Sequence, residues 1–287
     1  MRTSKALIAA LTALALAGSQ VQAAAPAPVA AQHGMVVSAH RLATSAGLDV
    51  LKSGGNAVDA AVAVAYALAV TFPEAGNIGG GGFMTIRLAN GRSTFIDFRE
   101  TAPAAATATM YQDAGGNVVP LRSTRGFLAA GIPGTVAGLE LARSKYGTRA
   151  RAPLMAAAIA LARTGFVLDQ GDADFLAEGA ADFAKDPASA AVFLNRGQPW
   201  QAGQRWVQAD LGRTLQAIAS GGVAAFYQGP IAARIALASQ RGGGIMTTAD
   251  LQAIKRSNAS RSNAIIAATT SSPRRRPARA GSCCARR

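Results

Sequence analysis

The sequence predicts an α+β fold, and three observations carry that prediction. Two strand-like runs flank Asn90-Gly91, several alanine-rich helical stretches each close on glycine, and strands do not alternate with helices as a parallel sheet would require. Helices packed on one sheet follow from that order.

Taken along the chain, "MVVSAH" from Met35 is rich in β-formers, so a short strand is expected there. Leu42, Ala46, Leu48 and Leu51 recur near helical period, and Gly54-Gly55-Asn56 stops that helix. "AVDAAVAVAYALAVTF" from Ala57 is apolar on nearly every face, which predicts a buried helix ending at Pro73. "PEAGNIGGGGFM" follows, and "FMTIRLANGRSTFIDFRE" reads as two strands joined at Asn90-Gly91. "GIPGTVAGLELARSKYG" opens on Gly131 and predicts a helix stopped at Gly147; "APLMAAAIALARTGF" repeats that logic up to Gly165. "ADLGRTLQAIASGG" and "GPIAARIALASQRGGG" are further amphipathic helices with glycine stops, and no fixed-period repeat is present.

Bulk composition narrows the function classes. The chain has 287 residues, half of them hydrophobic and 15% charged, enough for a sizeable core. Its net charge of +14 suggests a phosphate-binding surface, but nine Lys or Arg lie between Lys255 and Arg287 with no acid. Residues 1–254 therefore carry +5, and +3 once Arg2 and Lys5 are set aside, so no nucleic-acid function is expected of the body. Arg2 and Lys5, the apolar run Ala6 to Ala17, and Val21-Gln22-Ala23 read as a signal peptide over residues 1–23, cleaved before Ala24. That run is short for a membrane span, so the processed protein is expected to be periplasmic or secreted, with a pliable lead-in over 24–34. Cys283 and Cys284 are adjacent and offer neither a disulfide framework nor a spaced metal site. His33 and His40 are the only histidines, which excludes a histidine-rich metal centre; both read as structural or solvated.

The glycine run Gly79, Gly80, Gly81 and Gly82 has three readings. A dinucleotide cradle needs strand, glycines, helix; here the order is helix, glycines, strand. A slack linker does not suit a position pinned between a buried helix and a hairpin. Close approach remains: without Cβ atoms these residues let strand backbone meet another backbone or a ligand. In "FIDFRE", period two places Phe95, Asp97 and Arg99 on one face and Ile96, Phe98 and Glu100 on the other. Arg99 beside Asp97 is either a surface ion pair of small worth or a planar fork for a substrate carboxylate.

These motifs in this order, with "IDFRETAP", "NAVDAAVA", "KYGT", "LARTGF", "FYQGPIA" and "GGGIMTTADLQA", resemble the large subunit of the γ-glutamyltransferases, from about Met35 to Lys255. The resemblance implies an N-terminal-nucleophile hydrolase with an αββα sandwich, made as a self-cleaving proenzyme without a cofactor. It implies transfer of a γ-glutamyl group from glutathione or other γ-glutamyl compounds to water, amino acids or peptides, by a threonine on the small subunit. A free α-amine can act as base for its own hydroxyl, so no histidine is required. Cephalosporin or glutaryl amide acylases share the scaffold, and a non-catalytic carboxylate-binding remnant is the other alternative. By the same resemblance, Arg99 holds the α-carboxylate of the glutamyl group, with Asp97 and Glu100 as orienting neighbours. Thr247-Thr248 and Thr269-Thr270 lack the Thr-Thr-His context of the family's nucleophile, so no catalytic residue is expected in this chain and it is expected to be inactive alone.

From Arg256 to Arg287 the composition changes to a basic, proline- and arginine-bearing tail, which reads as disordered. Joining the third base of each codon to the first two of the next permits V-E-R-x-P-V-x-R from Arg256. From Ile265 it permits Y-R-G-Y-x-V-V-S-x-P-P-P-S-S-G-G, a segment the resemblance places at this distance after the "ADL" helix. A frameshift near codon 255, natural or from sequencing, is the expectation. Resequencing the DNA there tests it, and overlaps that fail to spell the segment would refute it.

Overall fold

The computed structural model describes residues 29–254 and the backbone of Ser257–Ala259. The expected leader, Lys255, and the rest of the tail with Thr269, Thr270, Cys283 and Cys284 lie outside the described residues. No described helix is long and apolar enough to cross a membrane.

The stretch from Met35 to His40 forms no strand, contrary to its composition. Its end is spent on starting a helix: Ser38 Oγ donates to His40 O, and His40 Nδ1 accepts the Leu42 N–H at 3.2 Å. Helix α1 (Arg41–Lys52) follows. Helix α2 (Ala57–Thr71) is capped by Asn56, whose side chain takes the Val58 and Asp59 N–H groups while Asp59 takes that of Asn56. Ten of its fifteen residues are buried, as its all-round apolarity requires.

Strands β1 (Phe83–Arg87) and β2 (Ser93–Asp97) pair antiparallel, with Thr85 opposite Phe95. Asn90-Gly91 does lie in the connection, although not as a two-residue loop. Gly91 alone has positive φ (+82°), Gly91 N donates to Leu88 O, and Leu88 N donates to Arg92 O, the arrangement of a turn plus bulge. Helices α3 (Thr135–Tyr146) and α4 (Arg151–Thr164) stop at Gly147 and Gly165 as expected.

The region between α4 and "ADLGRTLQAIASGG" is more structured than the sequence suggested. Strand β3 (Phe166–Val167) pairs with β4 (Arg205–Trp206), and between them lie α5 (Gln170–Glu178), α6 (Ala180–Phe183) and α7 (Pro187–Phe193). The signals were there: Asp169 and Asp172 form a capping box, and Asp186 caps α7 with Pro187 in its first turn. Helix α8 (Ala209–Tyr227) is two helical segments that meet at Gly222, whose non-helical backbone (φ +67°, ψ −151°) ends the first at its glycines as expected and starts the second. Helices α9 (Gly229–Arg241) and α10 (Thr248–Gln252) follow. Strand β5 (Ser257–Ala259), within the stretch read as a tail, pairs antiparallel with β2 and completes the order β1-β2-β5.

The helices form one layer: α1 packs on α2, α2 on α4, α4 on α8 and α8 on α9. Ile86 and Ile96 turn the inner face of the sheet toward this layer and are buried with Tyr66, Val136, Leu139 and Leu215 in one core. The opposite face shows Phe83, about half exposed, stacked on Phe95. Two carboxylates tie the layer together. Asp59, fully buried, accepts from Thr148 N, Thr148 Oγ1 and Arg149 N as well as from Asn56 N, joining "NAVDAA" to "KYGT". Glu140 on α3 takes paired bonds from Arg151 (2.8 and 2.9 Å) and Arg143 (3.2 and 2.7 Å). Burial pushes the Glu140 carboxyl up, but hydrogen bonds and charge from the two arginines outweigh it and hold the group down at about 2.

Candidate functional site

The glycine run is packed between the end of β2 and the start of α3. Asn77 Oδ1 accepts from Gly80 N at 2.9 Å and from Thr135 Oγ1 at 2.6 Å. Gly80 O accepts from Gly134 N at 2.7 Å and Thr135 N at 3.1 Å, and Gly82 O from Phe98 N at 3.0 Å. Around this ladder five glycines close on three residues. A Cβ on Gly81 would stand 2.7 Å from Phe98 O and Glu100 N, one on Gly82 2.9 Å from the Phe98 ring, and one on Gly131 2.9 Å from Glu100 Cβ. A Cβ on Gly134 would strike Phe98 O, and one on Gly138 the Phe98 ring. The run is thus a main-chain clamp on Phe98-Arg99-Glu100.

Not all four glycines serve that purpose. Gly79 has nothing within 4 Å of its Cβ position, and Gly80 meets only the Asn77 side chain. Close approach is the work of Gly81 and Gly82. Nor does the run start a central strand among the described residues, since β1 stands at the edge of its sheet.

Arg99 lies two residues beyond β2, on the same side as Phe83 and Phe95. Its side chain is 70% exposed, and its guanidinium carbon stands 5.9 Å above the Phe83 ring. Asp97 forms no ion pair with that guanidinium; its Oδ1 instead accepts the Arg99 backbone N–H at 3.0 Å. Asp97 therefore orients the Arg99 main chain and leaves the fork free. Glu100 Oε2 reaches only 4.0 Å from Arg99 Nε, which is a loose neighbour and not a hydrogen bond. The surface-pair reading of Arg99 and Asp97 fails on this geometry.

Supports that single-sequence reading did not assign stand behind the clamp. The buried Tyr227 hydroxyl donates to Pro133 O at 2.8 Å and accepts from Ala137 N at 3.3 Å, fixing the turn that enters α3. Asp250 Oδ1 accepts from Ala104 N at 2.9 Å and so anchors the strand exit 146 residues away. That bond, then those from Thr247, hold its carboxyl below the usual range. Thr247 is the N-cap of α10, its Oγ1 donating to Asp250 Oδ2 at 2.7 Å, which gives it a structural task. "FYQGPIA" and "TTADLQA" thus contain the supporting residues, but only tertiary contacts reveal what they support.

His40 approaches Asp172 Oδ1 at 3.3 Å through Nε2 without hydrogen-bond alignment, and Asp169 stands close by within a 4.8 Å cluster. Two features oppose a cation there. Nδ1 accepts the Leu42 N–H, so Nε2 carries the ring proton, and the N-termini of α1 and α5 both meet at the cluster. His33 is exposed.

Known proteins share this arrangement of motifs. The chain matches the family model described as Gamma-glutamyltranspeptidase over residues 43–267. It is 58% identical over 253 residues to the glutathione hydrolase proenzyme of Pseudomonas sp. (strain A14), covering 88% of this chain and 44% of that protein. Over 229 residues it is 50% identical to the glutathione hydrolase proenzyme of Escherichia coli (strain K12), covering 79% and 40%. The acylase ACY 1 proenzyme of Pseudomonas sp. (strain V22) is 40% identical over 230 residues, covering 78% and 41%. Among solved structures, Helicobacter pylori gamma-glutamyltranspeptidase superposes with TM-score 0.79 at 45% identity, over 80% of this chain and 66% of that one. The chain spans less than half the length of these curated relatives. With the model matched over most of its length and both early and late motifs in place, the chain belongs to the gamma-glutamyltranspeptidase family.

Proposed function

We propose that this chain is the large-subunit part of an enzyme that moves γ-glutamyl groups from glutathione or related amides to water or to an amine, and that Arg99 binds the α-carboxylate of the glutamyl group. The observation that carries the proposal is the exposed guanidinium fork: 70% exposed, 5.9 Å over the Phe83 ring, with Glu100 only as a loose neighbour at 4.0 Å, and with its backbone held from behind by the glycine clamp. The relatives named glutathione hydrolase support the substrate class, and their higher identity favours it over the acylase reading.

In this reading Arg99 contributes position. Two parallel N–H···O bonds fix the carboxylate, and the rigid clamp keeps the γ-amide at a constant distance from the attacking group. The chemical step needs a nucleophile from the portion of the family's chain that this one does not span. A threonine hydroxyl there would add to the γ-carbonyl while its own α-amine takes the proton and delivers it to the departing amine, forming an acyl ester that water or an acceptor amine then cleaves. The 287-residue chain alone should therefore bind without turning over.

Titration of L-glutamate or glutathione into the purified chain tests this. Arg99→Ala is expected to weaken binding at least tenfold, and Arg99→Lys to restore part of it, because a lysine keeps charge but loses the fork. Equal affinity of parent and Arg99→Ala would sink the assignment.

A further inference from the structure

A fork that binds a carboxylate must point in one direction, yet among the described residues nothing hydrogen-bonds the Arg99 guanidinium. A long exposed side chain of this kind samples many rotamers, and it loses that freedom when it binds. An acid in the guanidinium plane would order the fork, but it would occupy the N–H groups a ligand needs. Asp97 does not take that place, since its Oδ1 accepts the Arg99 backbone N–H at 3.0 Å. Glu100 Oε2 stands 4.0 Å from Nε, beyond hydrogen-bond reach.

An aromatic face orders a guanidinium differently, because it attracts the charge through the plane and leaves the in-plane N–H groups open. Phe83 is placed to do this. Its ring centroid lies 5.9 Å from the Arg99 guanidinium carbon, at the outer reach of a cation–π contact. The ring is itself supported by Phe95, with centroids 5.6 Å apart and planes at 21°. That stack is a diagonal pair across the register that sets Phe83 opposite Asp97. The backbone is fixed on both sides as well: Gly82 O accepts from Phe98 N at 3.0 Å just before Phe83, and Asp97 holds Arg99 N just beyond β2. Ring and fork thus hang from two strands in one register.

We propose that Phe83 is a positioning residue for carboxylate recognition, its ring face holding the Arg99 guanidinium over the sheet while the N–H edges stay open to the ligand. The proposal rests on the carboxylate-binding reading of Arg99. It adds that the charge distribution of the ring, and not its apolar bulk, tunes the affinity.

Two measurements on the purified 287-residue chain test this. In NMR spectra of the arginine side chains, the Arg99 signals, assigned by their loss in Arg99→Ala, should carry an upfield ring-current shift that Phe83→Leu removes. In titrations with L-glutamate, Phe83→Leu should bind about two- to fivefold more weakly, the worth of a half-exposed cation–π contact. Phe83→Tyr should restore the parent's affinity. Mono-, di- and pentafluorinated phenylalanine at position 83 should weaken binding stepwise, because fluorine withdraws negative charge from the ring face while shape and apolarity are kept. This series also decides the matter if Phe83→Leu fails to fold by circular dichroism. Affinity that stays flat along the series, parent-like binding by a folded Phe83→Leu, or Arg99 signals indifferent to Phe83 would each overturn the proposal. A flat series with binding lost in Arg99→Ala refutes the role of Phe83 alone. Undiminished binding by Arg99→Ala refutes the carboxylate reading and this proposal's ligand with it, even where the ring-current shift is present.

Discussion

Asp59→Ala is expected to cost about 4 kcal/mol of folding stability. The carboxylate is fully buried and accepts from Asn56 N, Thr148 N, Thr148 Oγ1 and Arg149 N. Removing it strands three backbone donors at the junction of α2 with the loop after α3, and each buried unpaired donor costs about 1–3 kcal/mol. Urea unfolding followed by circular dichroism measures the loss. A change below about 1 kcal/mol would show that water replaces the carboxylate without penalty.

Asp59 also sets an acid limit. Burial pushes its carboxyl up, but the bonds from Thr148, Asn56 and Arg149 together bring it below the ordinary value. A carboxyl depressed in the folded state binds its proton more readily when unfolded, so stability falls on acidification. The contribution is complete above the unfolded value of about 3.9 and drains away as pH drops through the folded one. Glu140, held at about 2, acts in the same direction. The parent should lose stability between about pH 4 and 2, and Asp59→Asn should flatten part of that slope.

Gly134→Ala is the second large effect, at least about 3 kcal/mol, with loss of glutamate binding. Gly134 has ordinary right-handed backbone (φ −109°, ψ −21°), so conformational freedom is not the reason. Its Cβ position collides with the Phe98 carbonyl oxygen, while its N–H donates to Gly80 O. Since backbone meets backbone, relief requires separating α3 from the segment that carries Arg99. Gly79→Ala is the control: its Cβ meets nothing within 4 Å, and a change within about 0.5 kcal/mol is expected. If both variants unfold at the same urea concentration, the clamp description is wrong.

Legibility in the sequence tracked how local the determining physics is. α2, α3 and α4 were readable because apolar periodicity and terminal glycines act within one turn. In α8 the glycine stop holds at Gly222, where non-helical backbone ends the first segment; that a second segment follows at once, with Arg151 filling the space of the missing side chain from 71 residues away in sequence, was not legible. The Met35 to His40 segment had strand composition but no partner, and helix capping took it. Short helices α5 to α7 were announced only by Asp169, Asp172 and Asp186, whose caps are easily passed over.

The same division runs through the candidate site. Sequence alone determined the family motifs, the α+β class, Arg99 as the residue of interest and the face it shares with Phe95, because strand alternation is a property of the backbone itself. Only the tertiary structure decided that Gly81 and Gly82, with Gly131, Gly134 and Gly138, close on Phe98-Arg99-Glu100, and that Asp97 serves the Arg99 main chain while the guanidinium stays exposed with Glu100 as a loose neighbour. Those outcomes depend on distances between segments far apart in the chain. Such distances are set by how the helix layer packs on the sheet, which no spacing along the sequence records.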